Sequence, residues 1–523
     1  MSKEFLSDLE LRSKLISGAN KLAEAVSTTL GPRGKNVLLH KKGQNPCITK
    51  DGVTVSEFFD LQDPFENAGV KIIKQASSTT NTEAGDGTTT ATVLACKILN
   101  NGQRYITSGV SPYKIKKGIE VAVEKVIEYL DNISVPLTSM EQIKQIATIS
   151  SNGDNIIGDL ISTAVEQVGK NGSISIKEAR SLETTLEIVE GFRFDSGYIS
   201  AEFINDERKS SVKFDDCFLL VTDYKMEHLQ ELMPILEMVA RDGRPLLIVA
   251  DSIEGQLLAA LIMNKLKGSI KVAAVKAPMY GEERKAALED IALSTGATLI
   301  SRESDKRIRD AVLADLGTAK TVDITKFSTV IVDGGGDYAA IEKRIDGLKQ
   351  QLSQTESEYE CKKIQERVTR LVSSIGIIYV GAPTEVEMIE KKYRIEDALE
   401  AVKSAQQDGI VAGGGIALAK SRCNIKVKVE DEEEAIGAKV LLDSLSSPLR
   451  IIVKNGGDSC DLIEKKVISK KDINFGYNAM NGKYVDMFEA GIIDPARVTK
   501  TALKNAASAA GILLTTGYAI IEE

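Results

Sequence analysis

The sequence predicts a mixed α/β protein of several domains, with mainly helical regions toward both ends of the chain and an α/β region between them. Its 523 residues exceed what one hydrophobic core organises, so about three domains are expected. Residues 1–132 and 409–523 carry apolar side chains at helical spacing. In residues 190–375, short apolar runs alternate with helical segments, which is typical of a partly parallel sheet.

The N-terminal region is predicted to consist of amphipathic helices interrupted by one hairpin. Apolar spacing predicts, in order, a helix at 10–29, a hairpin at 37–39 and 48–49, and helices at 65–76, from 92 onward and from 112 to 130. The first helix ends before Gly31. The last begins at Ser111-Pro112, where serine suits the N-cap and proline suits the first helical position.

The central region follows a short mixed segment at 133–189. Strands are expected at 217–221, 246–250, 272–275, 298–300 and 330–332, and again at 376–380. Residues 337–372 are charged and periodic, so they predict long exposed helices. Two segments, 229–239 and 257–263, are apolar around more than one helical face. They are either buried on all sides or present an apolar groove to a partner, and the pattern alone favours burial.

Composition excludes several classes of function. A net charge of -9 argues against nucleic acid as the main partner. The chain has only two histidines, which disfavours histidine triads and histidine-rich zinc sites. The six cysteines form no CxxC pair, and Cys47, Cys96 and Cys217 lie beside apolar residues, which indicates buried thiols in a reducing compartment. No apolar run reaches membrane-spanning length and no signal peptide is evident, so a cytoplasmic protein is expected.

The stretch Gly85–Thr92 reads as a flexible turn that leads into a helix. A helix start carries unpaired N–H groups and a partial positive charge, so it can hold a phosphate, and glycine lets the backbone approach a ligand closely. Asp86 beside it suits a hard cation such as Mg²⁺. The alternative is a capped helix start that binds nothing, and the stretch by itself favours that alternative.

Three further acidic residues stand at chain breaks or on polar helix faces. Asp51 follows a strand, Asp397 points away from the apolar side of its helix, and Asp494 precedes a proline. The simpler interpretations are a solvated helix charge for Asp397 and a helix N-cap for Asp494. With the glycine turn at 413–415, these carboxylates are sufficient parts for phosphoryl transfer to water, which needs positioning, a metal and a carboxylate that orients the water.

Long collinear motifs give the chain a resemblance to a known family. They are 29–37 (TLGPRGKNV), 48–53 (ITKDGV), 85–94 (GDGTTTATVL), 275–278 (VKAP), 394–399 (RIEDAL), 411–415 (VAGGG), 477–479 (YNA) and 494–495 (DP). Along nearly its whole length the chain resembles the group I chaperonins, the GroEL type. The resemblance implies a helical equatorial domain (1–132 and 409–523), a small α/β intermediate domain (133–189 and 376–408) and an α/β apical domain (190–375).

The resemblance also implies an ATPase that uses Mg²⁺ and K⁺. Asp86 would ligate Mg²⁺, Asp397 would position the attacking water with Asp51 close by, and Thr29 with Lys50 would help to form the K⁺ and phosphate surroundings. The residues implied to bind ATP are Thr29, Leu30, Gly31, Pro32, Lys50, Gly87, Thr88, Thr89, Thr90, Gly414, Asn478, Ala479, Ile492 and Asp494.

Family members assemble into seven-membered rings, usually doubled, and hydrolyse ATP to drive the folding of enclosed proteins. The resemblance thus implies, for this chain, a single or double ring that captures unfolded client proteins and promotes their folding, with a co-chaperonin as a further candidate partner. The residues implied to bind clients and the co-chaperonin are Tyr198, Phe203, Met233, Leu236, Leu258, Ile262 and Met263. An exposed apolar surface there would bind varied sequences because apolar contacts are non-directional.

Several positions depart from the family pattern. Ser196 replaces an arginine that would pair with Glu385, Thr82 replaces an acid, Ser459 replaces a glutamate at the ring–ring contact, and Glu202 replaces an aromatic residue. They predict altered cooperativity and a weaker double ring. An alternative function is therefore a holding scaffold with weak ATPase activity and altered allostery. A small-molecule ATPase or kinase lacks a recognisable acceptor site.

Overall fold

The computed structural model describes residues 3–40, 47–151, 153–169, 173–179, 181–207, 210–304, 306–355, 357–372 and 374–522. The chain forms two compact units. The first contains residues 1–163 and 382–523, and the second contains residues 164–381. The predicted division into mainly helical outer regions and a central α/β region is confirmed. The finer borders of the predicted equatorial, intermediate and apical segments stay predictions.

The helices and strands of the first and central parts of the chain, from Lys3 to Val380, have the following bounds. The first part of the chain contains β1 (Lys3–Ser7), α1 (Asp8–Ser27), β2 (Val37–Leu39), β3 (Cys47–Thr49), α2 (Gly52–Phe58), α3 (Pro64–Ala84), α4 (Thr88–Thr107), α5 (Pro112–Ile133), α6 (Met140–Ser150) and α7 (Asn155–Val168). The central part contains β4 (Ser173–Glu178), β5 (Thr185–Phe194), β6 (Val212–Val221), β7 (Lys225–Met226), α8 (Leu229–Asp242), β8 (Leu246–Ala250), β9 (Ser252–Ile253), α9 (Gly255–Leu266), β10 (Val272–Lys276), α10 (Gly281–Thr295), β11 (Gly317–Ile324), β12 (Thr329–Gly334), α11 (Tyr338–Gln354), α12 (Glu358–Val372) and β13 (Ser374–Val380).

The last part of the chain returns to the first unit. It contains α13 (Glu385–Asp408), β14 (Ile410–Ala412), α14 (Ile416–Asn424), α15 (Glu432–Ser444), α16 (Ser447–Gly456), α17 (Cys460–Ser469), β15 (Phe475–Asn478), β16 (Lys483–Asp486), β17 (Ile493–Pro495), α18 (Ala496–Thr515) and β18 (Tyr518–Glu522). The strands β1 and β18 pair antiparallel, with Phe5 opposite Ile520. This pairing joins segments that are distant in sequence, and local patterns did not predict it.

The core of the first unit is built from helices of both chain segments. Helix α18 packs against α3, α4 and α5, and its inner face is made of small side chains such as Ala502, Ala506 and Ala510, all fully buried. Small side chains let helices approach closely and still exclude water from the interface. Leucine, isoleucine and valine from α1, α3, α4 and α5 fill the rest of this core.

Two pairs of glycines bring helix backbones into direct contact. A Cβ atom on Gly118 of α5 would lie 1.9 Å from the carbonyl oxygen of Glu434, and a Cβ on Gly437 of α15 would lie 2.2 Å from that of Ile115. Helices α1 and α3 meet in the same reciprocal way. A Cβ on Gly18 would lie 2.0 Å from the carbonyl oxygen of Glu66, and a Cβ on Gly69 would lie 2.3 Å from that of Leu15. At each of these four positions any side chain would collide with backbone, so glycine is required for packing.

The second unit contains an eight-stranded mixed sheet in the order β10-β8-β6-β11-β12-β5-β13-β4. β10, β8 and β6 are parallel, as are β13 and β4, and the other pairs are antiparallel. β8 is buried along its whole length, which is typical of a parallel strand covered on both faces. The strand predicted at 298–300 is wrong: Ile300 forms only an isolated bridge with Thr222.

A buried acid fastens the long helices of the second unit. Asp290 of α10 is 2% exposed and accepts hydrogen bonds from Arg344 of α11 (Nε, 3.2 Å) and Arg367 of α12 (Nε and Nη2, both 2.8 Å). The two arginines satisfy both oxygens of a carboxylate that would otherwise be costly to bury. The predicted long helices at 337–372 are therefore present as α11 and α12 and held against α10.

The two strongly apolar helices, α8 and α9, divide their side chains between core and surface. Leu232, Ile235 and Val239 of α8 and Leu257 and Leu261 of α9 are buried. Other apolar side chains of these helices lie at the surface, since Met233 is 41% exposed, Met263 is 52% exposed and Leu266 is 61% exposed. The preference for burial is therefore correct for only part of these side chains, and both helices also present methionine at the surface.

Candidate nucleotide site

The first unit contains a cavity of about 400 Å³, lined by segments from both parts of its chain. That volume lies within the usual range for small-molecule sites. Every residue that the sequence assigned to ATP, Mg²⁺ or catalysis lines it: Thr29, Leu30, Gly31, Pro32, Lys50, Asp51, Asp86, Gly87, Thr88, Thr89, Thr90, Asp397, Gly414, Asn478, Ala479, Ile492 and Asp494. The fold thus brings together residues that are up to several hundred positions apart.

The start of α4 faces this cavity without a side-chain cap. Its N-cap is Gly87, which has a φ of 87° and no side chain to bond the first N–H groups. A Cβ atom there would lie 2.6 Å from Cγ1 of Val498, so both backbone conformation and space require glycine. The partial positive charge and the backbone donors of the helix start are consequently directed at whatever the cavity holds.

Asp51 is held rigidly at the edge of the cavity as the N-cap of α2. Its carboxylate accepts from the N–H groups of Val53 (3.1 Å) and Thr54 (3.0 Å) and from the hydroxyl of Thr54 (2.6 Å). The next residue, Gly52, lies so close to α4 that a Cβ would approach Oγ1 of Thr89 to 2.1 Å. The strand end that carries Asp51 is therefore packed directly on the start of α4.

Asp86 and Asp494 are two buried carboxylates of the same cavity. Asp86 accepts from the N–H of Gly87 at 2.5 Å, and the Ser150 side chain also bonds to it. Burial, and secondarily the charge of Asp51, raises the pKa of Asp86 above its ordinary value. Burial, followed by the charge of Asp86, raises the pKa of Asp494 to about 7. Buried acids of this kind are destabilised as anions until a cation or donor compensates them.

The prediction that Asp494 is a helix N-cap is wrong. Asp494 lies in β17 opposite Val411 of β14, and α18 begins two residues later, with Pro495 at the N-cap position. The strand pairing fixes the backbone of Asp494, so its side chain lies in the cavity beside Gly413: a Cβ on that glycine would lie 2.9 Å from Oδ1 of Asp494.

Helix α13 contributes Asp397 together with a cationic residue that the sequence did not predict. Arg394 lies one helical turn earlier on the cavity side and pairs with Asp154 (Nη1 to Oδ2, 3.1 Å) and Glu390 (Nη2 to Oε2, 2.8 Å). Its Nε is buried without a hydrogen-bond partner among the described residues. Burial, and then the charge of Arg394, lowers the pKa of Lys50. The helical spacing between Arg394 and Asp397 was the signal available in the sequence.

Two surfaces of the cavity are built from turns. The loop wall, residues Leu30–Pro32, follows α1, and Nδ2 of Asn455 holds its backbone by donating to the carbonyl oxygens of Ser27 (2.8 Å) and Leu30 (2.9 Å). The hairpin wall, residues Tyr477–Met480, includes the turn after β15. There Oδ1 of Asn478 accepts from the N–H of Met480 at 2.9 Å. Both walls therefore have defined backbone positions.

The cavity suits an anionic ligand accompanied by a small cation. No group of three or more acidic, histidine or cysteine side chains forms a metal cluster in the part of the chain that the structure describes. Mg²⁺ commonly takes only one or two protein carboxylates and completes its shell with phosphates and water, so Asp86 fits that ion. The assignment of K⁺ to the surroundings of Thr29 and Lys50 stays a prediction.

The residues predicted to bind clients lie in the second unit and differ in exposure. Met233 and Met263 are exposed, whereas Tyr198, Leu258 and Ile262 are partly buried. Phe203 and Leu236 are 1% and 4% exposed, so the structure does not present them at the surface, and their assignment to client binding stays a prediction. Both belong to the core of the second unit, because the inner face of α8 and the turn at 201–203 pack inward.

A helical unit that encloses a nucleotide-sized cavity and is interrupted in sequence by an α/β unit is the organisation of a chaperonin. The TCP-1/cpn60 chaperonin family model matches residues 22–523, so the chain belongs to this family. Its fold is similar to that of the chaperonin gp146 from the bacteriophage EL 2 (Pseudomonas aeruginosa), crystallised in the presence of ATP-BeFx. The TM-score is 0.70 with 22% sequence identity over 99% of each chain. None of the helices formed by the described residues is both long and apolar enough to cross a membrane.

Proposed function

We propose that this protein is an ATP-dependent chaperone that captures unfolded proteins and promotes their folding in a homo-oligomeric ring. ATP with Mg²⁺ binds in the cavity of the first unit and is hydrolysed to ADP and phosphate. The observation that carries the proposal is the convergence of the seventeen predicted residues on one cavity of about 400 Å³. Family membership and the ATP analogue in the crystals of gp146 support it further.

The phosphates are bound by backbone donors and positive charge. The uncapped start of α4 offers the N–H groups of Thr88–Thr90, and glycine at 87 allows close approach. Lys50 and Arg394 supply cationic side chains to the cavity, and the buried Nε of Arg394 has no hydrogen-bond partner within the described part of the chain. We assign ribose and adenine to five other lining residues, Gly414, Asn478, Ala479, Ile492 and Asp494.

The carboxylates divide the remaining tasks. Asp86 would hold Mg²⁺, which neutralises phosphate charge when it is bound. Its raised pKa fits this role, because a neighbouring cation stabilises the anionic form. We assign Asp397 to orienting the attacking water, with Asp51, which is fixed as the N-cap of α2, assisting it. K⁺ is proposed near Thr29 and Lys50.

Client capture is assigned to the exposed apolar side chains of the second unit. Met233 on α8 and Met263 on α9 are the most exposed members of the predicted set. Methionine is flexible and polarisable, so it adapts to varied apolar sequences. The ring is expected to contain seven copies, single or double, and the same surface would receive a co-chaperonin.

Steady-state ATPase activity tests the proposal. The wild type should hydrolyse ATP in a Mg²⁺-dependent reaction, and Asp397→Ala should reduce kcat by about a hundredfold or more with little change in ATP affinity. Glu387→Gln, an exposed acid near the start of the same helix, is the matched control and should behave as wild type.

The outcome also separates folding from holding. A wild type as slow as Asp397→Ala, but still able to bind denatured protein, would identify a holding scaffold and contradict the ATP-driven reaction. If the wild type hydrolyses ATP, refolding yields of a denatured test enzyme with ATP and with a non-hydrolysable analogue show whether turnover drives folding.

A further inference from the structure

One arginine joins the two walls of the cavity from outside it. Nη1 of Arg33 donates to the carbonyl oxygen of Gly456 at 3.0 Å, and Nη2 donates to the carbonyl oxygen of Met480 at 2.8 Å. Gly456 is the last residue of α16, and Met480 belongs to the hairpin wall. Arg33 itself follows the loop wall directly, so its planar guanidinium connects three segments that are far apart in sequence.

The end of α16, residues Asn455–Asp458, is bonded to both walls. Asn455 holds the carbonyl oxygens of Ser27 and Leu30 at the loop wall. At the hairpin wall, the hydroxyl of Tyr477 donates to Oδ2 of Asp458 at 2.8 Å. Arg33 bonds the end of α16 and the hairpin wall with one side chain, and it therefore completes a frame around the cavity.

The hairpin wall depends on this frame at its tip. Within the turn, the N–H of Met480 is bonded to the Asn478 side chain and the N–H of Gly482 to the Asn478 carbonyl. These bonds are local and fix the shape of the turn. The bond from Arg33 to the Met480 carbonyl ties that tip to the segment that directly follows the loop wall, which bonds within the turn cannot do.

We infer that Arg33 is a positioning residue for nucleotide binding, which sets the spacing between the loop wall and the hairpin wall and thereby favours adenine over other bases. This inference rests on the proposed function of the cavity. A guanidinium presents two parallel donors in a fixed fork, which suits two separate carbonyls, whereas lysine offers a single nitrogen with different geometry. Because Arg33 does not line the cavity, it acts through the walls and makes no contact with the nucleotide.

The test compares ATP and GTP hydrolysis by the full chain carrying Arg33→Ala, Arg33→Lys or Lys35→Ala. Lys35 is an exposed residue of the same turn, so its removal takes away the same charge without touching the walls. Arg33→Ala should raise KM for ATP by about fivefold or more, the loss expected from charge-assisted hydrogen bonds. The kcat of Arg33→Ala should stay close to that of the wild type, and its preference for ATP over GTP should fall. Arg33→Lys should have a KM and an ATP preference between those of the wild type and Arg33→Ala.

Three results would overturn the inference. The first is an equal KM for ATP in Arg33→Ala and Lys35→Ala. The second is an equal rise in KM for ATP and for GTP in Arg33→Ala. The third is a wild type that hydrolyses both nucleotides equally well. If Arg33→Ala does not fold, an unchanged KM and ATP preference in Arg33→Lys would overturn it as well. Failure of the wild type to bind a fluorescent ATP analogue is a separate result, which would contradict the function proposed for the cavity itself.

Discussion

Asp86 and Asp494 repel each other inside the cavity proposed to bind nucleotide. After burial, the charge of Asp86 is the second cause that raises the pKa of Asp494 to about 7. The two residues come from the start of α4 and from β17, more than four hundred positions apart. Their mutual repulsion means that the protein without nucleotide and cation carries an electrostatic cost at this point, which a bound cation would reduce.

Asp494→Asn should therefore raise the Tm of the nucleotide-free protein at about pH 8. The folded pKa near 7 lies above the ordinary value of 3.8, so this group favours folding below about pH 4, and the stability is lost as the pH rises through 7. The shift corresponds to a cost of roughly 4 kcal/mol above pH 7. Thermal melts between pH 4 and pH 8 should show that the Tm of Asp494→Asn exceeds the Tm of the wild type at pH 8 and that this difference disappears toward pH 4. Asp346→Asn, at an exposed position of α11, is the control, and a gain independent of pH would contradict the prediction.

Replacing both exposed methionines, Met233→Ser with Met263→Ser, should weaken capture of a chemically denatured test protein and leave ATPase activity unchanged. Serine removes apolar contact area from the surface, and the nucleotide residues all lie in the other unit. Suppression of aggregation measures capture. Tyr338→Ser removes a large side chain on α11 that is even more exposed, at 60%, and should have no effect. Unimpaired capture by the double variant would refute the assigned surface.

Leu236→Ser offers a contrast, because this leucine is 4% exposed. A hydroxyl in the core of the second unit should lower stability by about 2–5 kcal/mol. The expected result is a reduced Tm and greater protease sensitivity. A stable Leu236→Ser protein that has lost only client binding would show instead that Leu236 becomes exposed during the working cycle.

Gly118→Ala should destabilise the first unit by more than about 1 kcal/mol, because the added methyl group would collide with the carbonyl oxygen of Glu434. Gly347→Ala is the matched helical control. A Cβ there meets no atom within 4 Å, so the substitution should be neutral or stabilise α11 by about 0.5–1 kcal/mol. Thermal melting compares the Tm values of the two variants. An unchanged or raised Tm for both would show that α5 and α15 can separate without a loss of stability.

Asp290→Ala should destabilise the second unit by about 3–5 kcal/mol, because it leaves Arg344 and Arg367 without their shared carboxylate. Limited proteolysis should then cut within or between α11 and α12 much earlier than in the wild type. Asp310→Ala removes an acid that is more than half exposed and should leave the cleavage pattern unchanged. An unaltered pattern for Asp290→Ala would mean that apolar contacts alone hold these helices.

Much of the fold was predictable because its signals are local. The helices at α1, α3, α4 and α5 show regular apolar spacing, and the alternation in the central region indicated the mixed sheet. The pairing of β1 with β18 was not predictable, since strand partners separated by most of the chain leave no periodic signal. The segment at 298–300 has strand-like composition, yet only Ile300 reaches a neighbour, because an apolar run does not by itself supply a partner.

The candidate site was predictable only as separate pieces. Glycine turns and isolated aspartates indicated phosphate chemistry, and the family resemblance grouped them, but spacing alone could not bring Asp397 to the start of α4. Asp494 was misread because an acid before proline also suits an N-cap, and only the pairing with Val411 decides between strand and cap. Ser150 gave no signal, since a lone serine at a helix end is common. Arg33 was visible in its motif, but its bonds to two remote carbonyls depend on tertiary structure.

The glycine contacts between α1 and α3 and between α5 and α15 have a mechanical consequence. Where backbone touches backbone, no layer of adaptable side chains remains that could absorb sliding or rotation. These helices therefore behave as one stiff base, and movement during the proposed ATP-driven cycle has to be taken up elsewhere. We expect the helix that carries Asp397, α13, to move relative to α1, α3, α5 and α15, which keep their mutual packing.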